Sequence, residues 1–189
     1  MASKTQLCNL ALTRLRGATI VSLDDPTKTA QLCKTLFDDV AEEVMSEGSW
    51  PSTIRRQTLN KTTNVPAFEY SNEFQLPTLP RFLKVLNIND QCAYTQPFVI
   101  EGDKLLTDLS SVKIRYVAYL EDTGSWDVYL KRAFVYRLTA ELAYVLTGQD
   151  PISTKWYALY ERKLADCLNL AGQEGSNQHV FHDNLLDVR

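Results

Sequence analysis

From Ser125 to Gly148 the chain reads SWDVYLKRAFVYRLTAELAYVLTG, and the remaining segments are arranged around this helix. Leu130, Phe134, Leu138 and Leu142 recur every fourth residue, with Glu141 and Val145 beside them, and at about 3.6 residues per turn they form one apolar ridge. The opposite side is scarcely polar. Ala133, Tyr136, Ala140, Ala143 and Tyr144 occupy it, leaving Lys131, Arg132, Arg137 and Glu141 as the charges. Ser125 is placed to cap the start, Asp127 suits the positive end of the helix dipole, and Gly148 supplies the left-handed residue that ends it. A helix apolar on both sides needs cover on both. The leucine and phenylalanine ridge is assigned to the core, and Ala133, Ala140 and Tyr144 to a contact with another element or a neighbouring subunit. On that division Leu138→Asp unfolds the chain, whereas Ala140→Glu harms chiefly the second side.

Upstream of the β region lie two more helices. The first is expected from Lys4 to Arg16, with Leu7, Leu10, Ala11 and Leu15 on its buried face and Gly17 as its stop. A β-branched link, Thr19 to Leu23, and a turn at Asp24-Asp25-Pro26-Thr27 lead to the second, expected from Thr29 to Glu47. Leu32, Cys33, Leu36, Phe37, Val40 and Val44 form its apolar arc. Its far side collects Asp38, Asp39 and Glu42, with Glu43 and Glu47 at the edge, and residues 38–47 contain no base. Like charges four apart destabilise a helix by a few tenths of a kcal/mol (about 0.2 to 0.5) per pair, and acids near a C-terminus oppose its dipole. Such a face requires basic partners or a purpose of its own.

Between Ser49 and Asp122, Pro51, Pro66, Pro77, Pro80 and Pro97 exclude long helices and the apolar spacing turns to alternation. Strands are expected at Thr53–Leu59, Glu69–Leu76, Leu83–Ile88, Phe98–Ile100, Lys104–Thr107 and Val112–Leu120, with a tight hairpin at Glu101-Gly102-Asp103. In the last strand Val112, Ile114, Tyr116, Ala118 and Leu120 alternate with Lys113, Arg115, Val117 and Tyr119, so its start is half exposed and its end covered on both faces. A fourth helix is expected from Ile152 to Ala171, with Trp156, Leu159, Tyr160, Leu164, Cys167, Leu168 and Ala171 on its apolar face and Gly172 as its end. The fold class expected is therefore α+β: a bundle of four helices, residues 3–48 and 125–171, with a β-rich insertion at 49–123. Residues 1–172 form one domain. Residues 173–189, QEGSNQHVFHDNLLDVR, form an extended C-terminal arm, polar at first and closing with Phe181, Leu185, Leu186 and Val188 among charges.

Composition narrows the function. With 189 residues, 44% of them hydrophobic, the chain can bury one good core. A net charge of -3 argues against binding nucleic acid through a broad basic face, which disfavours a DNA-binding regulator. The N-terminus, MASKTQLCNLAL, lacks the apolar core of a signal peptide, and no run of about eighteen apolar residues occurs, so a cytosolic, non-membrane chain is expected. Cys8, Cys33, Cys92 and Cys167 are far apart with no C-x-x-C, which points to ordinary reduced thiols. Glycine-rich phosphate loops are absent, and His179 and His182 lie in the arm without a fixed partner acid, so no catalytic residue, metal or cofactor is assigned. Asp24 and Asp25 are read as turn-forming residues. Trp50, Trp126 and Trp156 stand at helix boundaries or first turns, where large rings seal core edges.

Taken in order, these motifs resemble the head-to-tail adaptor family of short-tailed phages, known as tail tubular protein A, over nearly the full chain. Leu7-Cys8-Asn9-Leu10-Ala11-Leu12, Arg14-Leu15 and Ile20-Val21-Ser22-Leu23-Asp24-Asp25 are similar to that family's opening. Ala30, Cys33 and Phe37, then Gly48-Ser49-Trp50 and Thr58-Leu59, follow. Tyr70, Phe74-Gln75-Leu76-Pro77 and Arg81-Phe82-Leu83-Lys84-Val85 resemble its aromatic and proline-containing passage. Ile100-Glu101-Gly102-Asp103-Lys104-Leu105-Leu106, Arg115-Tyr116-Val117, the helix from Leu138 to Leu146 and the closing Leu185-Leu186-Asp187-Val188-Arg189 complete the series. Each motif is weak by itself, and their shared order is specific. Two places depart from the pattern: Ser49-Trp50-Pro51-Ser52 lacks the usual flanking proline and aromatic, and Asp127-Val128-Tyr129 lacks the usual proline before the third helix.

The resemblance implies a structural virion protein and no enzyme. Its members form a dodecameric ring beneath the portal protein at the head–tail junction, assembled in the host cytoplasm. The ring continues the channel for double-stranded DNA and seats a tail nozzle protein of the tail tubular protein B type. On this basis Asp38, Asp39, Glu42, Glu43 and Glu47 are candidates to line the channel, where repulsion would keep the duplex mobile. Phe181, Leu185, Leu186, Val188 and Arg189 are candidates for a portal-binding arm. Burying its four apolar side chains contributes roughly 1.5 to 3 kcal/mol each, against about 1 to 2 kcal/mol per residue to fix the backbone, so ordering is expected only on assembly. Rival readings are another phage neck or tail-completion protein and a small cytosolic enzyme. The second lacks a convergent acid, base and nucleophile.

Overall fold

The first helix, α1 (Lys4–Arg14), starts where the Ser3 hydroxyl accepts the Gln6 N–H at 3.1 Å. It stops two residues short of the expected Arg16. Arg16 itself takes the left-handed conformation, at φ 58°, and Gly17 N–H bonds back to the Leu12 carbonyl. The buried face is Leu7, Cys8, Ala11 and Leu12. Leu10, expected in the core, is 49% exposed, because Cys8 and Leu12 turn the buried stripe away from it. Asn9 spans the link to the next helix, accepting from Ile20 N–H and donating to Ile20 C=O, both at 2.8 Å. Asp25 then closes the turn by accepting from Val21 N–H and Ser22 N–H.

Thr27 caps α2 (Lys28–Glu47), which buries Ala30, Cys33, Phe37, Val40, Ala41, Val44 and Met45. Past its end Trp50 is fully enclosed, its indole N–H donating to the Val44 carbonyl at 2.7 Å.

A computed structural model of the chain describes residues 3–89, 91, 92 and 97–173, and its architecture is mixed α+β. Among the described residues eight strands follow α2: β1 (Ile54–Thr58), β2 (Asn60–Lys61), β3 (Asn72–Gln75), β4 (Phe82–Ile88), β5 (Gln91–Cys92), β6 (Val99–Glu101), β7 (Lys104–Thr107) and β8 (Lys113–Ala118). They form two antiparallel four-stranded sheets, in the orders β1-β8-β4-β5 and β2-β3-β7-β6. Gly102, at φ 58°, makes the hairpin between β6 and β7. Phe74, Ile88, Leu105, Ile114, Tyr116 and Ala118 come from both sheets and share a second core. β8 begins exposed at Lys113 and ends with Tyr116, Val117 and Ala118 buried, because α2 covers this end of the first sheet.

The helix at 125–148 is α3 (Val128–Thr147), followed by α4 (Asp150–Gln173). Asp127, not Ser125, caps α3: its carboxylate accepts the Leu130 N–H at 2.8 Å, while Ser125 bonds back to the Asp122 carbonyl. The other oxygen of Asp127 accepts from the Ser52 hydroxyl at 2.7 Å, which ties the start of α3 to the segment before β1. Gly148 ends α3 in the left-handed conformation, its N–H on the Tyr144 carbonyl. α4 begins earlier than expected because Pro151, which has no N–H to satisfy, fits a first helical turn. It also runs through Gly172, which does not adopt the left-handed backbone of a stop.

α3 packs on α1, α2 and α4. Phe134 stands 4.7 Å from Phe37 and 5.1 Å from Trp126, centroid to centroid, with Trp126 tied to the Leu120 carbonyl. Of the two covers expected for Ala133 and Ala140, this enclosure supplies other parts of the same chain and excludes a subunit interface. Both are 0% exposed and surrounded by the chain itself, so neither offers a surface to a neighbour. Tyr144, at 54% exposed, remains on the surface. The division between Leu138→Asp and Ala140→Glu falls with it, since Leu138 and Ala140 are equally buried.

Candidate functional site

The acidic face of α2 is the most highly charged of the sequence candidates, and the fold brings bases from three directions onto it. From α1, Lys4 Nζ reaches Asp38 Oδ1 at 2.8 Å, and from the loop before β4, Arg81 reaches Glu42 at 2.5 Å. Tyr119 donates its hydroxyl to Asp38 at 3.2 Å, and the Arg81 guanidinium lies over the Tyr119 ring at 4.8 Å. The Lys4 ammonium holds the Asp38 carboxyl below the usual carboxylate range. Burial, and then Asp38, push the Tyr119 phenol up.

The third direction is α3. Arg137 takes Glu43 with two nitrogens, Nε at 3.0 Å and Nη2 at 2.9 Å, and Nη2 also meets Glu141 at 2.8 Å. Only 13% of the Arg137 side chain is exposed. Two α4 rings cover it, Tyr157 at 4.6 Å and Tyr160 at 5.5 Å from the guanidinium carbon. Their hydroxyls donate to Glu141 and Glu47 respectively. Burial and the bond to Glu141 push the Tyr157 phenol up to about 12, and burial with the bond to Glu47 raises Tyr160 further. One guanidinium thus joins α2, α3 and α4.

The basic partners that the face requires are therefore supplied within the fold. Asp38, Glu42 and Glu43 have cationic partners, Glu47 accepts a tyrosine hydroxyl, and only Asp39 of the five lacks a partner among the described residues. Lys84 from β4 donates to the Ser46 carbonyl, placing a cation at the C-terminal end of α2, where the acids oppose the dipole. The partners were hidden in sequence because Lys4, Arg81, Lys84 and Arg137 lie 34 to 94 residues from the atoms they meet. The one available signal was the imbalance itself. Five carboxylates within residues 38–47, with no base among them, demand compensation from elsewhere.

The remaining candidates are distributed differently. Tyr144 is far less enclosed than Ala133 and Ala140, and Phe181, Leu185, Leu186, Val188 and Arg189 lie outside the described residues. Among the described residues no group of three or more His, Cys, Asp or Glu side chains is placed to hold a metal, and no helix is long and apolar enough to cross a membrane. Comparison with known protein-family models and with curated proteins finds no match to the chain.

Proposed function

We propose that this chain is the subunit of a head-to-tail adaptor ring in the virion of a short-tailed phage. In this role it is a structural protein, repeated as a dodecamer between the portal protein and the tail nozzle protein, and double-stranded DNA passes through the ring without sequence-specific contact. The observation that carries the proposal is the ordered series of motifs from Leu7 to Arg189, which resembles the tail tubular protein A family along nearly the whole chain.

Two features support it. A helical bundle with a β-rich insertion between the second and third helices and a C-terminal arm is the arrangement expected from the sequence pattern, and the mixed α+β architecture is compatible with it. A ring subunit also needs unlike surfaces on two sides. Large apolar side chains stand out on separate loops, with Val21 91%, Leu79 87% and Phe68 77% exposed. The acids of α2 are left out of the proposed channel, because three of them are already neutralised within the subunit.

The arm is the proposed portal contact, and it can be removed without cutting a described element. Deleting residues 174–189 is expected to leave the thermal melt unchanged and to abolish co-sedimentation with the purified portal of the same phage. Truncated protein that still joined portals would refute the arm's role.

A further inference from the structure

The first sheet carries a cluster of cations that the helix-binding seam does not use. In the register of β1 against β8, Arg56 lies directly opposite Arg115, and Thr58 lies opposite Lys113. On the other side of β8, Asn87 of β4 is also opposite Arg115. Side chains two apart in a strand share a face, so Arg56, Thr58, Lys113, Arg115 and Asn87 project together from three adjacent strands. They border a cleft of about 270 Å³, completed by Gln57 and Ile114.

Like charges directly opposite across strands are destabilising, and nothing in the cleft offsets them. Its lining contains no carboxylate, and Arg56, Lys113 and Arg115 form no ion pair among the described residues. Arg115 Nε is moreover buried without any hydrogen-bond partner, so its desolvation is left uncompensated. Elsewhere in the molecule the arginines Arg81 and Arg137 are matched to glutamates. An unmatched pair of guanidiniums with a lysine beside it lacks an anion.

We propose that Arg56, Lys113 and Arg115 form a phosphate-binding site on the first sheet. Two planar guanidiniums on facing strands can each engage two oxygens of a tetrahedral phosphate, and a lysine adds a point charge. Thr58, Gln57 and Asn87 supply neutral polar groups around it. A carboxylate, with one charge and two oxygens, satisfies one guanidinium and leaves the other unmatched. The lining has no aromatic ring on which a base could stack. Recognition is therefore of the phosphate itself, whether a free ion or a group on a nucleic-acid backbone, and it is independent of base sequence. The ring assignment does not depend on this site, and the loss of either leaves the other standing.

The test uses the full chain labelled with nitrogen-15, following arginine Nε–H resonances at constant ionic strength. One arm titrates inorganic phosphate, a second a short double-stranded DNA, and a third sodium chloride alone. The Arg56 and Arg115 signals are expected to shift saturably with phosphate or duplex, and Arg115→Met to weaken that binding at least tenfold. Arg56→Met, at an exposed position, gives the same readout if Arg115→Met fails to fold. Saturation by inorganic phosphate alone assigns the free ion, and saturation by the duplex assigns the backbone. No shift beyond that of chloride in either arm would overturn the site.

Discussion

Replacing Arg137 by methionine tests whether one guanidinium holds α2, α3 and α4 together. The change keeps most of the apolar stem and removes two contacts to Glu43, one to Glu141 and the cation above Tyr157 and Tyr160. A hydrogen bond to a charged group contributes about 1.5 to 3 kcal/mol, and the three are not additive. Glu43 and Glu141 keep 43% and 28% of their side chains exposed, so water recovers part of the loss. A cation over a ring at such a site adds about 0.5 to 1 kcal/mol. The net expectation is a loss of about 3 kcal/mol, which for a chain of this size lowers Tm by roughly 6 to 12 °C. Calorimetry or circular dichroism melts would read it. A double-mutant cycle with Glu43→Gln should return a coupling of at least about 1 kcal/mol. A drop below about 2 °C with no coupling would show that the three helices are joined by apolar packing alone.

Three further outcomes follow from the same geometry. Gly48 has ordinary extended backbone, yet an added Cβ would lie 2.7 Å from the fully buried Trp50 ring and 2.5 Å from a Leu168 methyl, so Gly48→Ala should cost about 1 to 3 kcal/mol in a denaturant titration. Tyr157 and Tyr160 have folded-state values above the ordinary phenol's, so their contribution is complete below about pH 10 and is lost as pH rises through the folded values. Stability measured from pH 9 to 12 should therefore fall, and Tyr160→Phe should make that fall shallower; an unchanged slope would remove Tyr160 from it. Ala140→Glu should abolish cooperative unfolding as completely as Leu138→Asp, because both positions are sealed; a well-folded Ala140→Glu protein would contradict the burial.

The helices were the most legible part of the chain. Periodic leucines, Gly148 and the proline-rich middle are local signals, and α2, α3 and the hairpin at Gly102 fall within a few residues of where those signals put them. Errors arose where a decision was not local. Cys8 and Leu12 displaced Leu10 from the core because α3 sits on their side of α1, and Gly172 could not stop a helix whose backbone never turns left-handed there. The short strands β2 and β5 carry no pattern of their own and exist through their partners β3 and β4. The division into two sheets depends on pairings between distant strands, as β1 with β8 shows. On α3 the apolar spacing shows that the alanines of the second side need cover, but it does not specify whether the same chain provides it. In the acidic seam the acids were visible and their bases were not, since each pairing is made by tertiary packing.

The central claim is assembly into a ring on the portal, and the most direct measurement is electron microscopy of the full chain mixed with the purified portal of the same phage. The expected images show a twelve-fold ring of this protein added coaxially to one end of the portal, leaving the central channel open. Portals that remain bare at saturating protein, or protein bound without a ring around the channel, would contradict it.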